Sequence, residues 1–366
     1  MMLPNRYARW AFAVAVLSCA GFACGGAAET APAAPVTPSA SSSPTPLPRA
    51  GEGEPTPETP AVLDDGVDYG FPVKGFPLDI EGQHVSMAYM DIAPSGAVNR
   101  GSIVLLHGKN FNGFYFHSLI EAFRGDGFRV IVPDQVGFGK SSKPDIAYSF
   151  HLLAHNTKLL LDSLGIERTV VLGHSMGGML ATRFTLMYPE QVTQLILEDP
   201  IGLEDYRTFV PYTTAEQKLK GELAATPDSI RKYFQTSYFP QWKSEYEVLV
   251  DNALKTAKAP SLQASAKASA LTSAMIYEQP VCYEWNWIRV PTLLIVGTAD
   301  RTIVGKNLLK PEVVAEHGRY DRLGKDTAMK IPGSKLVELP GIGHIPHMEV
   351  FERFMTEVRG FLAPRR

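Results

Sequence analysis

A chain of 366 residues with 35 basic and 38 acidic side chains carries a formal charge of −3, and 45% of its residues are apolar. That is too long for a mini-domain and enough apolar mass for one sizeable core or two ordinary ones. Without a basic surplus, nucleic acid is not expected as a main partner, because phosphate binding needs clustered Lys and Arg.

Arg6 and Arg9 precede an uncharged apolar run over residues 10–23. The run is shorter than the roughly 20 residues of a spanning helix, and the basic-then-apolar order is that of a secretory signal. Residues 1–23 are therefore expected to be a signal peptide, and the chain to be exported to a bacterial cell envelope. The run ends Gly21-Phe22-Ala23-Cys24-Gly25-Gly26, which resembles a lipoprotein processing site with Cys24 as the lipidated residue. Cys19, after Val16-Leu17-Ser18, is a competing site, and plain secretion is the alternative to both. Residues 24–66 follow as an expected disordered tether. Nine of the 28 prolines lie between positions 25 and 60, and no aromatic residue lies between 25 and 65, so apolar burial cannot offset the entropy of ordering. Loss of residues 1–23 takes the charge to −5, leaving a lipid anchor rather than attraction to anionic lipid as the membrane attachment. Of the three cysteines, Cys282 alone falls in the folded part. No intradomain disulfide is available, and Cys282 is expected to be a buried packing residue.

Beyond residue 71 strand and helix patterns alternate. Residues 84–93 alternate apolar and polar like a half-exposed strand, and 102–106 is a continuous apolar run like a strand buried on both faces. A helix over 116–124, a strand over 128–132, a helix over 150–164 and a strand over 169–172 come next. A helix over 176–188 and strands over 194–197, 292–296 and 335–339 follow, with a last helix over 348–362. Alternation of this kind implies parallel crossovers and a sheet covered on both faces. The expected core is 67–199 with 288–366. Residues 200–287 interrupt it with helical patterns at 215–224, 229–234 and 244–255 and many aromatic residues. They are expected to form a helical cap, most of the rings packing it on the core and some lining an apolar pocket.

Three residues that carry chemistry each follow a strand. The strand over 169–172 runs into Gly173-His174-Ser175-Met176-Gly177-Gly178 and then a helix. A sharp turn there lifts Ser175, and the helix N-terminus behind it favours developing negative charge. An attacking serine needs a base, and the base an orienter. Asp300 follows the strand ending at Val296, and His344 follows the strand ending at Leu339. Asp199 is a second candidate acid and His347 a second candidate base, although its place ahead of the last helix suggests a capping or surface role. Asp134 is read as an acid that satisfies backbone donors in its own loop, and His107 and His174 as turn-stabilising residues. The turn His107-Gly108-Lys109-Asn110 can aim backbone N–H groups at the same sheet edge.

With these parts together, residues 73–362 resemble an α/β-hydrolase: a mostly parallel central sheet with helices on both faces and an inserted helical cap. The resemblance makes Ser175 the nucleophile, His344 the base, Asp300 its orienter, and the backbone N–H groups of Lys109 and Met176 the oxyanion hole. A serine at the elbow separates the chain from haloalkane dehalogenases and epoxide hydrolases, which use Asp there. Carbon–carbon bond hydrolases share the Ser-Met-Gly-Gly elbow but commonly carry Gly-Pro-Gly where this chain reads Lys109-Asn110-Phe111. The expectation is a serine hydrolase of carboxylic esters, taking a small acyl substrate and needing neither cofactor nor metal. A carbon–carbon bond hydrolase and a non-catalytic envelope lipoprotein are the alternatives.

Overall fold

The computed structural model describes residues 60–96 and 98–363. The expected signal peptide, Cys19, Cys24 and all but the end of the expected tether lie outside the described residues. Eight strands build one sheet: β1 Val73–Ile80, β2 Gln83–Ile92, β3 Ser102–Leu106, β4 Arg129–Pro133, β5 Thr169–His174, β6 Val192–Glu198, β7 Thr292–Gly297 and β8 Lys335–Leu339. Among them run α1 His117–Gly125, α2 Phe150–Ser163, α3 Met176–Met187, α4 Ala215–Leu223, α5 Pro227–Ser237, α6 Glu247–Thr256 and α7 Leu262–Glu278. The chain ends with α8 Pro311–Glu316, α9 Tyr320–Lys330, α10 Pro346–Glu349 and α11 Phe351–Leu362.

The strand order is β1-β2-β4-β3-β5-β6-β7-β8. Pairing is antiparallel at β1/β2 and β2/β4 and parallel from β4 to β8. The class expected from the sequence, a mostly parallel sheet between helices, is the observed one. Its cause is visible in β3, β5 and β7, where every residue is buried. Side chains alternate across a strand, so a continuous apolar run needs cover on both faces. Val104, Leu106, Val171, Leu195 and Leu294 join Leu153 and Leu160 of α2 and Met179 and Phe184 of α3 in one apolar cluster. Their strand neighbours Ile103, Leu105, Val170, Leu172 and Leu293 join Phe123 of α1 and Phe354 of α11 in the other.

Four differences from the sequence reading have physical causes. β1 has no clear strand pattern because Gly75 and Pro77 interrupt it; it is an edge strand, where proline's missing donor is tolerated. α8 and α9 escape the sequence pattern because α8 is only six residues long with none buried, and the core-facing side of α9 is interrupted by Gly324 and Thr327. The last helix is two, broken at Val350, whose backbone (φ −143°, ψ 53°) is not helical. Residues 60–66, expected to end the tether, include an anchored stretch: Leu63 N–H donates to the Lys140 carbonyl at 2.8 Å, and the buried Asp65 carboxylate pairs with Lys140 Nζ at 2.8 Å.

Between β6 and β7 the chain leaves the sheet for α4 to α7. Thr214 and Thr226 cap α4 and α5 through reciprocal bonds with Gln217 and Ser229, which satisfies helix-start donors locally. Of the rings in this segment Tyr206, Phe234, Tyr238, Phe239, Tyr246 and Trp285 are buried, whereas Tyr212, Tyr283 and Trp287 are exposed.

Candidate active site

Parallel strands end at one edge, and their loops bring the three sequence-selected side chains together. Ser175 sits between β5 and α3 at φ 56°, ψ −120°, a backbone conformation that costs a residue with a Cβ. Backbone bonds hold it there: Ser175 N–H donates to the Glu198 carbonyl at 3.1 Å, and Ile201 N–H to the Ser175 carbonyl at 3.2 Å. The Ser175 Oγ lies 2.9 Å from His344 Nε2, and His344 Nδ1 lies 2.6 Å from Asp300 Oδ2. Thr302 N–H donates to the other Asp300 oxygen at 2.8 Å. With Nδ1–H given to Asp300, Nε2 is bare and can accept the Ser175 hydroxyl proton. The exposures are 4% for Ser175, 1% for Asp300 and 1% for His344, so the bonds of the chain act with little water to screen them.

The Gly108-Lys109 turn reaches the same point. A Cβ on Gly108 would stand 3.1 Å from Ser175 Cβ and 3.2 Å from His174 Nδ1, so a larger residue would have to push these neighbours back by a few tenths of an ångström. Neither Lys109 N–H nor Met176 N–H has a hydrogen-bond partner among the described residues. Met176 opens α3, where the first N–H groups have no intrahelical acceptor.

The other candidates are occupied elsewhere. Asp199, at φ 35°, accepts the Gly297 N–H on both carboxylate oxygens, at 2.9 and 3.1 Å. Burial, then the charge of Asp300, raise its carboxyl well above the usual range. His347 is not at the surface: it is buried, and its Nδ1 and N–H both meet Glu198 Oε1, at 2.9 and 2.8 Å. Asp134 accepts Gly113 N–H, Lys140 N–H and the Tyr69 hydroxyl, each at 2.7 Å. His107 Nε2 accepts the Gln135 N–H at 3.0 Å. His174 lies in the elbow, with Nε2 2.7 Å from the His344 carbonyl oxygen. Cys282 is buried and free. Among the described residues no group of three His, Cys, Asp or Glu side chains could hold a metal ion.

Sequence reasoning missed the side chains that the inserted segment contributes. The Tyr238 ring, just past α5, stacks on His344 with centroids 5.5 Å apart and planes 15° apart. His344 N–H donates to the Tyr238 carbonyl at 2.8 Å, and Asn110 Nδ2–H donates to its hydroxyl at 2.7 Å. Lys109 Nζ donates to Ser269 Oγ of α7 at 2.6 Å, and Ser269 Oγ to Glu222 of α4 at 2.8 Å. Tyr238 and Ser269 are over 100 residues from the turns they touch, and no local pattern announces them.

Sheet order, elbow and inserted helices define the class as the α/β-hydrolase fold. The family model of that fold matches residues 101–349, and the chain belongs to this family. It is 33% identical over 235 residues to a 2-hydroxy-6-oxononadienedioate/2-hydroxy-6-oxononatrienedioate hydrolase of Paraburkholderia phymatum, across 61% of this chain and 80% of that one. It is 25% identical over 294 residues to Lipase 1 of Psychrobacter immobilis, across 77% and 84%. Among solved structures it resembles a "probable hydrolytic enzyme" of Pseudomonas aeruginosa PAO1, 41% identical with a TM-score of 0.80, across 84% of this chain and all of that one. By fold and by relatives the protein is a hydrolase.

Proposed function

We propose that the protein hydrolyses carboxylic esters through an acyl-enzyme on Ser175. The observation that carries this reading is the unbroken, buried chain Ser175–His344–Asp300, with bonds of 2.9 and 2.6 Å. In the first half-reaction His344 Nε2 takes the Ser175 proton as Oγ bonds to the ester carbonyl carbon. The carbonyl oxygen gains the negative charge and lies against the N–H groups of Lys109 and Met176. Collapse breaks the carbon–oxygen bond to the alcohol, which leaves with the proton held on His344. Water then delivers a proton to His344 and its oxygen to the acyl carbon, releasing the acid and restoring Ser175. Residues 200–287 act as a cap over the acyl site, with Tyr238 packed on the base. Ser175→Ala is expected to lower p-nitrophenyl butyrate turnover by more than about a thousandfold and to abolish labelling by a fluorophosphonate probe. A variant with wild-type turnover removes Ser175 from the mechanism.

Carbon–carbon bond hydrolysis is the second reading, favoured by the 33% identity to the Paraburkholderia enzyme. A 2-hydroxy-6-oxo-dienoate assayed beside simple esters separates the two by kcat/KM. Export and lipid attachment at Cys24 complete the proposal, supported by the charge and apolar order of residues 1–26. Cys24→Ser is expected to move the protein from the membrane fraction to the soluble fraction; an unchanged distribution discards the anchor.

A further inference from the structure

Loops bearing the nucleophile, the base and the oxyanion turn all meet at Tyr115, which the acyl-transfer steps do not use. Tyr115 lies in a short 3-10 helix, Gly113–Phe116, just after the oxyanion turn. Its hydroxyl lies 3.0 Å from Gly108 N and 2.9 Å from His174 Nδ1. His174 Nε2 lies 2.7 Å from the carbonyl oxygen of His344. On its far side the Tyr115 carbonyl accepts from His347 Nε2 at 3.3 Å, and His347 is tied to Glu198, beside the elbow, through its Nδ1 and N–H.

Chemistry allows one proton arrangement along this path. A carbonyl oxygen accepts only, so His174 Nε2 carries a hydrogen. Burial, then the neighbouring His344 and His347 rings, holds the His174 ring well below the usual histidine range, which leaves it neutral with Nδ1 bare. The Tyr115 hydroxyl, raised well above its usual range by burial, keeps its proton and gives it to Nδ1. Its lone pair accepts Gly108 N–H. The path therefore reads Gly108 N–H to Tyr115 O–H to His174, and His174 N–H to the His344 carbonyl.

We infer that Tyr115 and His174 are positioning residues: together they set the Gly108-Lys109 turn and the His344 backbone at fixed places relative to Ser175. The inference rests on the acyl-enzyme reading. Tyr115 also stacks on Phe111, with centroids 4.5 Å apart and planes 8° apart, and a phenylalanine keeps that packing while deleting both hydroxyl bonds.

Tyr115→Phe is the direct test, read by p-nitrophenyl butyrate kinetics and by the inhibition constant of a trifluoromethyl ketone, whose serine adduct places an oxyanion in the hole. Deleting an oxyanion donor costs about 10²–10³ in kcat; a donor displaced rather than deleted is expected to cost about 10–100-fold. The ketone should weaken by the same factor, with KM within about twofold. A destabilised core alone would lower the melting temperature and leave both constants of the folded enzyme unmoved. Equal kcat and ketone affinity in Tyr115→Phe, or a change in KM alone, overturns the inference. Should Tyr115→Phe fail to fold, His174→Gln and His174→Leu decide. A glutamine amide can donate to the His344 carbonyl and accept from Tyr115, so it should exceed leucine in kcat by about tenfold or more, and equality overturns the inference. An inert wild type, or an active Ser175→Ala, instead removes the acyl-enzyme reading, a failure distinct from an active wild type matched by Tyr115→Phe.

Discussion

Glu349 offers a pH-dependent test of how the base loop is held. It ends α10, and one of its carboxyl oxygens accepts Gly343 N–H at 2.9 Å, one residue before the base. Burial raises its pKa from 4.5 to about 7; the charge of Asp300 adds to this, and the Gly343 and Ile345 N–H groups and Lys243 oppose it. A carboxyl raised in the folded state binds its proton more tightly folded than unfolded. Between pH 4.5 and 7 the unfolded chain releases that proton and the folded chain does not, so stability falls with rising pH across the window and levels off above it. At about 1.4 kcal/mol per pH unit the ceiling is about 3 kcal/mol. Because Glu349 is only partly buried, screening reduces this to about 1–2 kcal/mol. Glu349→Gln keeps the acceptor and removes the titration. In urea unfolding at a series of pH values, the two proteins should coincide near pH 4.5 and diverge through pH 7, with the glutamine variant more stable above it. A constant offset at every pH, or no divergence, refutes the reasoning.

Asp199 and Asp300 make a paired test. Asp199 holds the Gly297 N–H with its carboxylate, whereas His344 is bonded to Asp300, so Asp199→Asn should hold kcat/KM within about threefold. Asp300→Asn, which costs His344 its orienter, should lose about a thousandfold or more; the reverse pattern in ester kinetics would make Asp199 the acid. Gly177→Ala would drive a Cβ into the Leu106 carbonyl oxygen and set it 2.8 Å from that of His107. Both are backbone atoms at the end of the strand beneath α3, so the helix must retreat. A loss of several kcal/mol in thermal unfolding and about a hundredfold in kcat is expected, and a near-wild-type melting temperature would contradict the packing.

The central strands were legible because β3, β5 and β7 are apolar on both faces, a pattern few other structures share. The elbow and Asp300 were legible because each comes shortly after such a strand, and His344 because it comes after β8, a parallel edge strand; parallel strands deliver their loops to one edge. What the sequence hid depends on distant partners. Val73–Ile80 reads as a strand only once β2 pairs with it. His347 looks like a surface cap until Glu198, 149 positions away, is folded against it. Tyr115 has no local pattern at all; its place follows from His174, 59 positions on, and from the turn before it. Tyr238 belongs to a segment whose helices are specified by caps and amphipathic faces, which fix each helix but not what it rests on.

Ser175 at φ 56° is one of three residues other than glycine with positive φ among the described residues. Any side chain at this position carries the same backbone cost, and glycine alone escapes it. Selection for a sturdier fold would thus erase the hydroxyl that the proposed mechanism uses as its nucleophile. The working enzyme is a compromise at a single residue, and gains in thermal tolerance have to come from elsewhere in the chain.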